Sequence, residues 1–345
     1  MKDYALPYYT SLWWARLFLL GSFFSLIFAV FSWQFFDIYK HLLLGFVLFY
    51  IIAVQHATIT FPRNKGGIFK ISSDLSFVLM FLGYVFWILP LFKLGFLLFL
   101  LFQLLPLIYY RLKNPRKVYD RVSYIFMGVA LIGGLISLFV SSWKPFIHAT
   151  FLGFELNMFL GCMAWMLPRF SKNTKDINPI IYASIVFSAI SLALNLYGFI
   201  TVRYVLLRLA SIFMILSLII FWVLFFKKFF TWHLHLPFLY FVIGFVFAYM
   251  INPHWHPRFV LSAMTLFAMV MGSKWYPLIF VNVPQKPNWV FNIAFVLLLI
   301  SPFFYNIYRV FAVVFMIWIA IEGMKSNFLL KETKQTLLYY LQLRK

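Results

Sequence analysis

The sequence has little charge, few acidic residues and almost no cysteine. Asp, Glu, Lys and Arg make up only 11% of the 345 residues, whereas 64% are hydrophobic and the mean hydropathy is +0.93. Soluble domains carry about 25% charged residues, so this chain has too little polar surface to fold in water. The composition predicts an integral membrane protein embedded in a lipid bilayer, and its polar segments are too short to hold a soluble enzyme domain.

Several kinds of chemistry are excluded by missing residues. Cys162 is the single cysteine and lies in a hydrophobic segment, so there is no disulfide framework, no CxxC pair and no CxxCH haem attachment motif. The chain also lacks a glycine-rich phosphate loop and a catalytic triad. The net charge of +21 is scattered over short loops, which argues against nucleic acid as a partner. No cleavable signal peptide is evident, because the first hydrophobic segment lacks a small-residue cleavage site.

Twelve segments are long and apolar enough to cross a bilayer, for which about 20 residues are needed. They predict an all-α, polytopic, single membrane domain over residues 1–345. The predicted spans are 13–36, 41–61, 75–92, 94–110, 122–142, 146–167, 178–200, 203–226, 236–251, 255–273, 288–304 and 306–324.

The distribution of basic residues predicts the orientation of the chain across the membrane. Of the 29 Lys and Arg residues, 22 lie on the side shared by the two termini and the even-numbered loops, six lie on the other side, and Arg208 lies within a span. Cytoplasmic loops are enriched in Lys and Arg, so both termini are expected in the cytoplasm. A bacterial cytoplasmic (inner) membrane is the expected location.

Histidines recur at nearly constant spacing. His41, His148 and His256 begin the second, sixth and tenth segments, 107 and then 108 residues apart. These three segments run in the same direction, which places the three histidines at one depth near the outer face. A recurrence every four spans predicts internal repeats of roughly 1–110, 111–226 and 227–345. The expected fold is a pseudo-three-fold (4+4+4) helical bundle.

The histidines are candidate metal ligands. A bis-histidine haem needs two imidazoles at one depth on facing helices, and His41 with His256 meets that condition. His254 and His256 differ by about 200° around a helix, so they can serve two haems. His148 can bind copper, face a haem or cap its helix. Inert histidines wetted at the membrane interface are the alternative for the whole set.

Two further groups are of interest. Glu155 lies two helical turns below His148 on the same face, where an ionisable side chain is costly. A catalytic role as a proton relay, charge balance for a metal, and a salt bridge with Arg208 or another buried base all stay open. His233 and His235 begin the ninth segment at the inner side, either as a metal pair or as interfacial anchors.

The tenth segment resembles the tenth helix of subunit I of the haem–copper oxidases. The resemblance rests on a His-x-His pair, a Val-Leu-Ser run, a Phe-Ala pair, a glycine and a Trp-x-Pro motif, at 254–256, 260–262, 267–268, Gly272 and 275–277. It implies that His41 and His256 are axial ligands of a low-spin haem and that His254 is the proximal ligand of a second haem. Such a haem is of the b, o or a type and held non-covalently.

The sequence departs from that family around copper. Oxidases take copper ligands from helix six and from a His-His pair at helix seven, but residues 173–201 contain no histidine. The His-led segments followed by Gly-Phe also resemble the NnrS family of twelve-span haem- and copper-containing membrane proteins, which are linked to nitric oxide metabolism. This second resemblance is the closer one.

These patterns lead us to expect a haem-binding membrane redox protein, with or without copper. It would act on oxygen or nitric oxide or in electron transfer, and any enzyme activity would be that of a membrane oxidoreductase. Cytochrome c, quinol or partner subunits are the expected electron sources. The alternative is a cofactor-free, twelve-span secondary transporter; the parallel repeat and the nearly uncharged midplane argue against it.

Overall fold

The computed structural model describes residues 2–58, 66–113, 118–170, 180–201, 203–226, 232–252, 254–280 and 289–325. These residues are almost entirely helical, and no strand occurs among them. This outcome follows from the composition, because in lipid every backbone N–H and C=O must be satisfied within its own segment. The all-helical prediction is confirmed.

The described residues form twelve continuous helices. Three of them contain a π-helical segment: His41–Val47 in α2, Leu100–Leu104 in α4 and Phe151–Glu155 in α6. The helices are α1 Lys2–Phe31, α2 35–58, α3 Gly66–Val85, α4 89–113, α5 Val118–Ser137, α6 143–170, α7 Ile181–Thr201, α8 Tyr204–Phe226, α9 Trp232–Tyr249, α10 Trp255–Phe280, α11 Trp289–Ile300 and α12 Ile307–Lys325.

Five helical stretches in the described part of the chain have the length and hydropathy of a membrane span. They are Phe35–Ala53, Leu89–Tyr109, Trp143–Ala164, Ile181–Gly198 and Tyr204–Leu224. Shorter apolar stretches lie in α1, α3, α5, α9, α11 and α12. The chain is therefore a helical integral membrane protein.

Helices α2, α6 and α10 lie innermost. In the apolar stretch of α6, 83% of the residues are buried, and in that of α2 the share is 72%. In the apolar stretch of α8 only 33% are buried. In α10, every residue from 259 to 270 is buried. Helix α10 packs against α2 and against α6, where the rings of Phe159 and Phe267 are 4.0 Å apart. The other helices pack around these three, each against its neighbour in sequence within six hairpins, and α12 packs against α1.

The six hairpin turns lie at one end of the bundle, which we call the histidine end. The described residues of these turns are 32–34, 86–88, 138–142, Arg203, 250–252, His254 and 301–306. Contacts join several of them: the indoles of Trp87 and Trp143 stack with centroids 3.9 Å apart, and Arg309 lies 4.0 Å over the ring of Trp33. Trp87 has a positive φ of 61°, a strained conformation for a bulky residue.

Candidate histidine site

His256 is held by the start of α10. The Asn252 side-chain oxygen accepts the backbone N–H groups of His254 and Trp255, both at 3.1 Å. Asparagine caps helices in this way because its side chain satisfies N–H groups that have no partner in the first turn. The His256 N–H donates to the Asn252 backbone carbonyl at 3.3 Å. The cap therefore sets the position of His256 in the first turn.

The ring of His256 is oriented by α9. Its Nδ1 lies 2.9 Å from the Gly244 carbonyl oxygen, and a carbonyl can only accept, so Nδ1 carries the proton and donates. In the neutral ring, Nε2 then has the lone pair. Metal-binding histidines are commonly oriented by such a bond from the second ring nitrogen.

His148 of α6 is the histidine closest to His256 among the described ring contacts. The two imidazole centroids are 5.7 Å apart, with the rings inclined at 78°. Both side chains are half-buried at the histidine end, and Phe245 lies 5.7 Å from His256 on another side. The structure thus brings two of the predicted ligands, from α6 and α10, into one place.

His41 has a different environment. Its Nδ1 is hydrogen-bonded to the Tyr84 hydroxyl of α3, and Phe28 of α1 packs against its ring with centroids 5.6 Å apart. The ring also borders an open cleft of about 440 Å³, whose other lining residues are Phe28, Phe31, Ser32, Trp33, Gln34 and Asp37. His41 therefore contacts α1 and α3, whereas His256 contacts α6 and α9; the pairing of the two as axial ligands stays a prediction.

The other candidate histidines do not converge. His254 is exposed just before α10. At the opposite end, Nε2 of His233 lies 3.2 Å from Asn292 of α11, whereas Nδ1 of His235 accepts the indole N–H of Trp222 in α8 at 3.1 Å. Within the described residues, no three His, Cys, Asp or Glu side chains come together as a metal-binding group.

Glu155 ends the π-helical segment of α6 and is fully buried. Among the described residues, neither carboxyl oxygen has a hydrogen-bond partner. Arg208 is exposed, and its guanidinium lies 5.9 Å over the Tyr249 ring. The salt bridge between Glu155 and Arg208 is therefore not formed, whereas the proton relay and charge-balance interpretations stay predictions.

Sequence reasoning missed the groups that orient the two rings. Tyr84 is one aromatic residue among many in a hydrophobic run, so nothing in the pattern distinguishes it. The Gly244 carbonyl carries no side-chain signal at all. The Asn252 cap was detectable, because an asparagine within a few residues of a predicted helix start is a candidate N-cap.

Comparisons with known proteins return no relative. No family model matches the chain, and no curated protein and no solved structure matches it either.

Proposed function

We propose that this chain is a haem-binding membrane redox protein whose haem lies at the histidine end, beside His41. The observation that carries the proposal is the cleft of about 440 Å³ with an imidazole on its wall. Aromatic side chains with a few placed polar groups are the usual lining of ligand pockets.

The residues around the cleft fit a haem. Phe28, Phe31 and Trp33 supply flat apolar walls. The Tyr84 hydroxyl holds one nitrogen of His41 and thereby orients the ring for ligation through the other. Two cations contact residues that line the cleft: Arg309 lies 4.0 Å over the ring of Trp33, and Nζ of Lys40 is 3.7 Å from Asp37. These cations suit the acidic groups of a haem.

When bound, haem supplies one-electron transfer and a site for small ligands such as oxygen or nitric oxide. The chain itself performs the other tasks. His41 would bind the iron, and the hydroxyl of Tyr84 would keep the His41 ring oriented towards it. Arg309 and Lys40 would offset the negative charge of the acidic groups of the haem.

The bundle proposed for this function has twelve spans in a 4+4+4 arrangement, like subunit I of haem–copper oxidases or the NnrS proteins, with both termini in the cytoplasm. Its support is that the three innermost helices, α2, α6 and α10, each carry a histidine near the same end. Cytochrome c, quinol or a partner subunit would supply the electrons.

A visible spectrum of the full chain tests the proposal. Protein purified from a haem-replete host should show a Soret band that shifts on reduction with dithionite. His41→Ala should abolish the band, because it removes the ligand at the cleft. His233→Ala, at the opposite end, is the matched control and should retain the band.

The same spectra test the ligand pair. The pairing of His41 with His256 predicts that His256→Ala also abolishes the low-spin signal, whereas a haem confined to the cleft predicts that this signal persists. A wild-type protein without any Soret band contradicts the haem proposal and favours the transporter alternative.

A further inference from the structure

Ser25, Tyr84 and His41 form a chain of hydrogen bonds across the first three helices. Nδ1 of His41 is hydrogen-bonded to the Tyr84 hydroxyl, and that hydroxyl is hydrogen-bonded to the hydroxyl of Ser25. Ser25 Oγ lies 2.8 Å from the backbone carbonyl oxygen of Gly21, one turn earlier in α1. Both Ser25 and Tyr84 are buried, so bulk water does not compete for these bonds.

The two hydroxyls meet beside Gly45 of α2. A Cβ added to Gly45 would collide with Ser25 Oγ and would lie 2.7 Å from Tyr84 Oη. Such a separation is well inside van der Waals contact, so any side chain at this position would push the hydroxyls apart. Gly45 belongs to the π-helical segment that begins at His41. One segment of α2 therefore supplies both the histidine and the space in which its partners meet.

The direction of the chain follows from which groups can donate. The Gly21 carbonyl can only accept, so the Ser25 hydroxyl donates to it and accepts the proton of Tyr84. The Tyr84 oxygen then accepts from Nδ1 of His41. In the reverse order, Ser25 donates to Tyr84 and Tyr84 donates to Nδ1, which leaves the contact between Ser25 and Gly21 without a hydrogen bond. The first order makes one more bond in a buried site and is therefore favoured.

The first order fixes the tautomer of His41. A neutral imidazole with its proton on Nδ1 has a lone pair on Nε2. The ring borders the cleft and its Nδ1 is occupied by Tyr84, so Nε2 is the nitrogen left for a ligand there. The reverse order would place a proton on Nε2, and that nitrogen could not then bind a metal.

We propose that Ser25 is a positioning residue, which acts through Tyr84 to hold His41 in the tautomer with a lone pair on Nε2. The cleft then takes a ligand that accepts an electron pair or donates a hydrogen bond, and it disfavours a ligand that offers acceptors alone. That this ligand is the iron of a haem rests on the proposed function, whereas the tautomer does not.

Nitrogen NMR of the full chain, with isotope-labelled histidine in detergent micelles, tests the tautomer. The chemical shifts of the ring nitrogens show which one is protonated, and the signals missing from His41→Gln assign the ring. In protein purified without haem, wild-type His41 should carry its proton on Nδ1. Ser25→Ala should move the proton to Nε2, because the Tyr84 hydroxyl then has His41 as its acceptor in the described part of the chain.

Two further variants separate this role from packing. Ser25→Thr retains a hydroxyl that can bond to the carbonyl four residues earlier and should keep the proton on Nδ1. Ser211→Ala removes a buried serine that makes the same bond to Leu207 in α8, at 2.9 Å, and should leave the His41 signals unchanged. A wild-type ring protonated on Nε2, or a Ser25→Ala variant that keeps the proton on Nδ1, overturns the proposal.

Haem titration of the same variants separates this inference from the proposed function. If Nε2 binds the iron, Ser25→Ala should weaken haem binding by about tenfold or more, whereas Ser25→Thr should stay close to wild type. A tautomer that changes without any change in haem affinity would support the role of Ser25 and refute His41 as the haem ligand.

Discussion

Buried serines in this bundle act in two ways, which differ in what they stabilise. Ser262 of α10 donates to the Leu298 carbonyl of α11 at 2.9 Å and lies 2.9 Å from the Tyr308 hydroxyl of α12. That hydroxyl in turn donates to the Arg258 carbonyl. Ser301, in contrast, bonds to the Leu297 carbonyl four residues earlier. Ser262 therefore joins three helices, whereas the Ser301 bond is local.

Replacing Ser262 by alanine should lower the free energy of unfolding by about 1 kcal/mol, since it leaves a buried carbonyl without its interhelical donor. Ser301→Ala should cost less than half of that, because the carbonyl also belongs to a helical hydrogen-bonding ladder. Thermal unfolding of the detergent-solubilised variants compares the two. Equal losses of stability would show that the bridge between helices has no special weight.

Helices α5 and α6 pack through glycines. A Cβ on Gly133 would lie 2.4 Å from the Gly153 backbone, and a Cβ on Gly153 would lie 2.8 Å from the Gly133 Cα. Small residues allow such close approach between membrane helices. Gly153 is also part of the π-helical segment that ends at Glu155. The close contact therefore fixes α6 along the segment between His148 and Glu155.

Gly133→Ala should destabilise the protein by about 1–3 kcal/mol, because backbone atoms of α6 cannot move aside without shifting the helix. Gly128→Ala is the matched control in the same helix, since no atom lies within 4 Å of its added Cβ. Alanine has the higher helix propensity, so the control should be neutral or slightly stabilised. Melting temperatures in one detergent provide the measurement, and a neutral Gly133→Ala would contradict the close packing.

At the scale of the whole molecule, the proposed orientation rests on the 22 basic residues of the predicted cytoplasmic side. Thirteen of them lie outside the described residues: Arg63, Lys65, Arg116, Lys117, Lys172, Lys175, Lys227, Lys228, Lys286, Lys331, Lys334, Arg344 and Lys345. The described chain supplies exposed positions near both ends of the bundle. Lys144 is exposed at the histidine end, and Lys113 is exposed at the end of α4. These two positions allow the orientation to be measured directly.

In a Cys162→Ser background, Lys144→Cys should react with a membrane-impermeant maleimide in intact cells. Lys113→Cys should react only after permeabilisation, because positive loops stay in the cytoplasm. The reverse pattern would invert the proposed orientation. Reaction of both in intact cells would contradict an odd number of spans between them.

Much of the helical pattern was readable in the sequence, and the departures have a physical origin. The second segment was predicted at 41–61, but its helix already begins at Phe35. Asp37 and Lys40 lower the hydropathy there, yet they do not interrupt backbone hydrogen bonding. Hydropathy therefore locates the apolar part of a helix and not its ends.

The end of the bundle at which the histidines lie could be predicted from the sequence, but which of their side chains meet could not. Regular spacing placed His41, His148 and His256 at one end, since equal numbers of spans separate them. Which rings meet depends on the rotation of each helix about its axis. That rotation is set by tertiary contacts, such as the glycine approach of α6 and the Gly244 carbonyl beside His256, which leave no signature in a single sequence.

The short turns of the histidine end have a consequence for biosynthesis. Only three residues separate α1 from α2, and three separate α3 from α4. Adjacent helices with so short a connection can enter the bilayer together as a hairpin, so that few polar groups are carried across at each step. Under the proposed orientation, assembly would proceed as six successive hairpin insertions, and the histidines would meet only after the last pair needed for α10 had entered.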